Sequence, residues 1–210
     1  MLPTPRWQGG EGRVYEPSED TFLLMAALEG DAERLRSSRP LICLEIGSGS
    51  GVVSCFVASI LGSATSYLTT DINHDAAHCT SVTASLNHVT LQPIITDLVQ
   101  ALLPRLSGCV DLLLFNPPYV VTESSEVGLG DVSSSWAGGA RGREVVDRLL
   151  PLVASLLSPS GAFYLVCEQL NAPGEVMAWF RDRGFSSSSV NSQRAGTEIL
   201  SVLRIERSTS

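Results

Sequence analysis

Short, nearly continuous apolar runs alternate along this chain with longer stretches of helical character, the pattern of strands buried on both faces of a parallel sheet. The runs are Leu41 to Ile46, Tyr67 to Ile72, Pro93 to Thr96, Val110 to Phe115 and Ala162 to Cys167. Between them the spacing predicts helices over Val52 to Leu61, over His74 to Asn87 with Asn73 as N-cap, and over Glu144 to Leu157, where Pro151 is a candidate kink. After Cys167 the rhythm changes to a helix near Pro173 to Arg183, stopped by Gly184, and then to two strands, Phe185 to Gln193 and Gly196 to Ile205, that read as a closing hairpin. Upstream, Ser18 to Leu28 reads as a helix with Glu19 and Asp20 at the positive end of its dipole. The expected fold is α/β: a doubly wound, seven-stranded, mostly parallel sheet with a C-terminal antiparallel hairpin.

A chain of 210 residues is near the size of one domain, so residues 1–210 are read as a single unit with 1–40 as an extension and helix covering the ligand edge of the sheet. Only the segment from Pro117 to Arg143, rich in Gly and Ser and without periodicity, is long enough to predict a functional loop. The formal charge of -8 opposes phosphate backbones and argues against a dedicated nucleic-acid binder. All fourteen basic residues are arginine, which removes a Walker A lysine and a lysine nucleophile or base. Cys43, Cys55, Cys79, Cys109 and Cys167 are odd in number and widely spaced, which reads as a reducing compartment. No run approaches the roughly 18 apolar residues of a spanning helix, and the start of the chain lacks a signal-peptide pattern, so the expected location is cytoplasmic, with the nucleus open. A positive mean hydropathy of +0.18, beside 17% charged residues, implies apolar surface beyond a monomer's needs and hence a permanent partner.

Glu45-Ile46-Gly47-Ser48-Gly49-Ser50-Gly51 follows an apolar strand and opens a helix, so Gly47, Gly49 and Gly51 lie where the backbone turns sharply and a ligand can approach. The turn reads either as a tight connection or as a ligand cradle. Asp71, twenty residues after Gly51 at the end of the next strand, favours the cradle because a carboxylate there can accept from a ribose diol. Glu45 just before the turn would repel a pyrophosphate and attract an ammonium, which favours S-adenosylmethionine over a dinucleotide. Asp97 can accept from an adenine amino group, with Leu98 along the ring, or can N-cap a helix.

Asn116-Pro117-Pro118-Tyr119 ends a buried strand with an amide, two prolines that cannot continue a ladder, and an aromatic ring. An amide or aromatic-amine nitrogen has a delocalised lone pair and attacks poorly. The Asn116 side-chain oxygen and the Pro117 carbonyl can accept from such an NH2, Pro118 can stiffen the turn, and Tyr119 can wall a flat acceptor and exclude water.

Together these segments resemble the class I, Rossmann-like methyltransferases of the HemK type, which use S-adenosylmethionine to methylate the glutamine of the Gly-Gly-Gln motif in peptide-chain release factors. The likeness extends to Tyr15-Glu16-Pro17-Ser18-Glu19-Asp20-Thr21 and to Trp136-Ala137-Gly138-Gly139, from Val14 to Arg204. It implies that Thr21, Glu45, Gly47, Asp71, Asp97, Leu98 and Asn116 contact the cofactor and that Asn116 to Tyr119 hold the glutamine. With about forty residues before the first strand, the chain resembles the short eukaryotic and archaeal branch. That branch implies a heterodimer with a small activator, which would carry the zinc; this chain is expected to hold no metal. The strand around Pro93 to Thr96 is expected at a sheet edge, where Val89, Leu91, Ile94 and Ile95 offer either a pairable strip or packing under helices. Ala140-Arg141-Gly142 departs from the family's usual acidic or Asn residue before Gly.

Several features are open on sequence alone. His74 and His78, with Cys79 adjacent, read as a solvated helix face rather than ligands. Arg141, Arg143 and Arg148 either contact an acidic or RNA partner or pair with Glu144 and Asp147. Trp136 either packs on a ligand or anchors its loop. Rival acceptors are a DNA adenine N6 and a histone-type lysine; rival classes are an inactive cofactor-binding scaffold and a nicotinamide dehydrogenase.

Overall fold

A computed structural model describes residues 2–208. The chain runs α1 (Glu19–Gly30), α2 (Ala32–Ser38), β1 (Ile42–Ile46), α3 (Val52–Leu61), β2 (Ser66–Asp71), α4 (His74–Leu86), β3 (Leu91–Ile95), β4 (Val110–Phe115), α5 (Glu144–Leu156), β5 (Leu157–Glu168), α6 (Pro173–Arg181), β6 (Phe185–Ala195) and β7 (Glu198–Arg207). The sheet order is β3-β2-β1-β4-β5-β7-β6, parallel through β5 and antiparallel across β7 and β6. The expected seven-stranded sheet and closing hairpin are both present.

Strand side chains alternate between two apolar layers, which explains why the strands read as continuous runs. Leu112, Leu114 and Tyr164 pack with α1 to α4 on one face, while Leu113, Phe115 and Phe163 pack with α5 and α6 on the other. Asn73 caps α4 as expected, accepting from the Asp75 N–H at 2.9 Å. Pro151 sits on the exposed side of α5, and the helix continues through it. Three features depart from the sequence reading. The short α2 is polar apart from Ala32 and Leu35 and carries too little apolar period to be read. Strand β5 begins upstream at Leu157, joined to β4 through a register shift between Val110 and Leu112. Asp97 opens no helix; the chain from there to Gly108 runs through turns on the α5 side.

Strand order reverses between β1 and β4, the crevice where ligands bind outside the carboxyl ends of such sheets. Register pairs Ile46 with Phe115. The glycine turn that follows the first and the Asn116 tetrapeptide that follows the second are therefore neighbours. Asp31, between α1 and α2, fixes the covering helices to the sheet by accepting from the Tyr164 hydroxyl at 2.6 Å and from Arg204 at 2.8 Å.

Candidate active site

The crevice holds an open cleft of about 1060 Å³, counted with the solvent at its mouth. Its walls bring together Thr21, Glu45, Gly47, Gly49, Asp71, Asp97, Leu98, Asn116 and Pro118, residues separated by up to 97 positions. The turn after β1 is held from β2, where Ser48 N–H donates to the Thr70 carbonyl at 3.0 Å and Gly49 N–H to Asp71 Oδ2 at 2.9 Å. Asp71 Oδ1 accepts from Asn73 N–H at 2.9 Å, and burial raises its pKa against these backbone bonds. Both oxygens are thus oriented at the cleft wall, each with acceptor capacity left for a diol. Gly51 is the one predicted cofactor residue of the turn that is not on the wall. Its φ is +76°, and a Cβ there would lie 2.9 Å from the Thr80 Cα, so a glycine lets the turn close against α4.

Glu45 is 4% exposed, with Oε2 accepting from the Ser54 N–H at 3.0 Å and from the Ser54 hydroxyl. Burial, with the Asp71 charge adding to it and the Ser54 bonds opposing, raises its pKa from 4.5 to about 8. The folded state therefore holds a proton that the unfolded chain has released between these values. Stability from this group is full below 4.5 and is lost as pH rises towards 8. In thermal melts stepped across that window, Tm of the wild type should fall more steeply than Tm of Glu45→Gln; parallel profiles would contradict the assignment.

At the opposite end, Asp97 Oδ2 accepts from Gln100 Nε2 at 3.3 Å and is ion-paired with Arg148 of α5. Leu98 is buried with φ +48°, a left-handed conformation held by the turn it occupies.

The tetrapeptide is built against α1. Asp20, 3% exposed, accepts from Asn116 Nδ2 at 3.0 Å and from the Tyr15 hydroxyl at 3.3 Å. Burial first, and the Asp20 charge second, push the Tyr15 pKa up to about 12, so its hydroxyl remains a donor. With Nδ2 committed to Asp20, Asn116 Oδ1 is buried and has no protein partner. The Tyr119 hydroxyl, its pKa raised by burial and then by Asp20, faces the carboxylates of Asp20 and of Glu198 on the hairpin. Asn171 Nδ2 donates to the Tyr119 carbonyl at 3.0 Å, and a Cβ on Gly142 (φ +64°) would come within 2.0 Å of that same oxygen. The loop from Pro117 to Arg143 closes the arrangement, with Val120 N–H on the Trp136 carbonyl at 2.9 Å and Gly138 N–H on the Val120 carbonyl at 2.8 Å. Gly128, Asp131 and Ser134 from this loop line the cleft.

Pro117 and Tyr119 flank Pro118 in the chain and are not on the cleft wall. Trp136 anchors the loop through its backbone. The arginines pair within the chain, Arg143 with Asp147 and Glu175, Arg141 with Glu175 and Arg148 with Asp97; Glu144 instead accepts from Ser124 and Ala140. His74 and His78 are exposed, and no three-residue metal cluster occurs among the described residues. Sequence reasoning assigned Asp20 to the helix dipole and so missed its grip on Asn116, which no local pattern signals across 96 positions.

A doubly wound sheet with a glycine turn, an acidic residue ending the second strand and an Asn-Pro-Pro-Tyr edge after the fourth defines a class I methyltransferase. The family model for the methyltransferase small domain matches residues 21–131. Methyltransferase HEMK2 of Mus musculus is 53% identical, covering 99% of this chain and 98% of that protein. The eRF1 methyltransferase catalytic subunit mtq2 of Schizosaccharomyces pombe is 36% identical over 92% of this chain and 89% of its own. Among solved structures, Mtq2 in the E. cuniculi Mtq2-Trm112 complex, which methylates the eRF1 translation termination factor, superposes with a TM-score of 0.71 at 28% identity, covering 93% of this chain and 99% of that one. The chain belongs to the HemK-type branch of the methyltransferase small-domain family.

Proposed function

We propose that this protein methylates the side-chain amide of the Gly-Gly-Gln glutamine in a peptide-chain release factor, using S-adenosylmethionine, as the catalytic subunit of a heterodimer with a small activator. The observation that carries the reading is Asn116 Oδ1, a buried acceptor held without a partner beside the cleft while Asp20 occupies the other end of its amide. A buried unsatisfied oxygen costs roughly 1–3 kcal/mol, which is recovered when a ligand N–H reaches it. Relatives named for glutamine and eRF1 methylation support the acceptor.

S-adenosylmethionine supplies an electrophilic methyl group on its sulfonium. Asp71 would take the ribose hydroxyls, Asp97 the adenine amino group, and Glu45, which burial keeps protonated near neutral pH in the protein alone, would give up that proton as it takes the ammonium of the methionine. On the acceptor side, Asn116 Oδ1 and the Pro117 carbonyl accept the two N–H bonds of the glutamine carboxamide and fix its plane. As positive charge grows on that nitrogen, the two oxygens stabilise it without reorganising, each worth roughly 3 kcal/mol. Tyr119 walls the flat group and excludes water. The nitrogen would need no base beforehand, because its proton would become acidic only as the N–C bond forms and the S–C electron pair stays on sulfur, and it would pass to solvent once the methylated amide leaves the water-excluding wall.

For the activator, β3 is the end strand of the sheet, and Ile95 on it is 53% exposed. Leu91 is buried and Val89 and Ile94 pack against the two apolar layers, so of the expected strip Ile95 is the residue left facing outward, and it is the free backbone edge of β3 that suits strand addition by a partner.

Co-expressed chain and activator, given methyl-labelled cofactor and an intact release factor, should place label on the Gly-Gly-Gln glutamine and none on a Gly-Gly-Asn variant. Label on duplex DNA or histone lysine with none on glutamine would sink the reading. Cofactor binding without any transfer would favour the scaffold.

A further inference from the structure

Thr80 lies in the middle of α4 and is fully buried. Its hydroxyl donates to the Gly49 carbonyl at 3.2 Å and lies 2.9 Å from the Ser48 hydroxyl. A hydroxyl has one proton to give, so with that proton on Gly49 the Ser48 hydroxyl is the donor to Thr80. The result is a short relay from Ser48 through Thr80 to the backbone of the glycine turn. Gly49 is thereby gripped at both ends, its N–H on Asp71 and its carbonyl on Thr80.

We infer that Thr80 is a positioning residue that sets the Gly49-Ser50 peptide for the carboxylate end of the cofactor; this rests on the cofactor placement proposed above. A trans peptide points its carbonyl and the following N–H in opposite directions. Drawing the Gly49 carbonyl back to α4 therefore turns the Ser50 N–H away from α4. Ser50 is on the cleft wall. A backbone N–H preset there, beside the first turn of α3, suits a carboxylate. Thr80 also faces Gly51 closely enough that a Cβ there would lie 2.9 Å from the Thr80 Cα, so the same residue meets the turn at two points.

The test compares two ligands that share the nucleoside and differ in the amino-acid end. For the full chain with its activator, titration calorimetry should show Thr80→Val weakening S-adenosylhomocysteine about tenfold while 5′-methylthioadenosine, which has no carboxylate, stays within about twofold; Thr80→Ser should restore S-adenosylhomocysteine and leave 5′-methylthioadenosine unchanged. Thr80→Ala, if the valine variant does not fold, removes the same hydroxyl and should give the same split. Equal weakening of both ligands, or no weakening of either, overturns the inference. If the wild type binds neither ligand, it is the cofactor reading itself that fails.

Discussion

Asn116→Ala is expected to lower turnover by about 10²–10³-fold while leaving cofactor affinity within about tenfold. The asymmetry follows from where the two ends of the amide go. Nδ2 is bonded to Asp20 and serves geometry; Oδ1 has no protein partner and serves the ligand. Alanine deletes the side-chain oxygen that Asn116 offers to the acceptor NH2, so the Pro117 carbonyl is left to orient that group. The glycine turn, Asp71 and Asp97 are untouched, which is why binding of the cofactor should survive. Single-turnover transfer, measured beside calorimetric titration of S-adenosylhomocysteine, separates the two effects. A variant that binds the cofactor and still methylates at near the parental rate would remove Asn116 from the chemistry. Asn116→Asp should fare no better than alanine, since it sets a second carboxylate against Asp20 where an amide donor now stands.

The sheet was legible because its strands are buried on both faces, which leaves runs such as Val110 to Phe115 with almost no polar interruption. The glycine turn, Asp71 and the tetrapeptide were legible for a related reason: each sits at the carboxyl end of a strand, so locating the strand locates the residue. Contacts that depend on two elements meeting were not. Asp20 has the local signature of a first-turn acidic residue, and its bond to Asn116 exists only because α1 is laid across the strand ends. Thr80 looks like one more small residue on a weakly amphipathic helix until α4 is packed against the turn. Arg148 was grouped with its sequence neighbours Glu144 and Asp147, whereas the fold carries Asp97 to it from 51 positions away. Short range in sequence favoured the wrong partner there, because a pair one helical turn apart gains only about 0.2–0.5 kcal/mol and is readily outcompeted.

Asp20→Asn should cost turnover about 10²-fold, through Asn116 rather than through contact with the acceptor. The substitution keeps size and replaces one acceptor oxygen by an NH2. That NH2 must take the place of Oδ2, against Asn116 Nδ2, or of Oδ1, against the Thr21 N–H, and both of these now donate to the carboxylate. Facing Asn116, it relieves the donor-donor clash only if the Asn116 amide turns over, which presents Nδ2 instead of Oδ1 to a substrate group that is itself a donor. Because the change is isosteric, Tm should move by a few degrees at most, and cofactor affinity should stay close to the parental value. The decisive measurement is the double variant. If Asp20 works by orienting Asn116, then adding Asp20→Asn to Asn116→Ala should slow transfer little further, a non-additivity expected of residues acting as one unit. Losses that multiply would mean that Asp20 reaches the acceptor by a route of its own, with Tyr119, whose hydroxyl faces the same carboxylate, as the neighbour to test next.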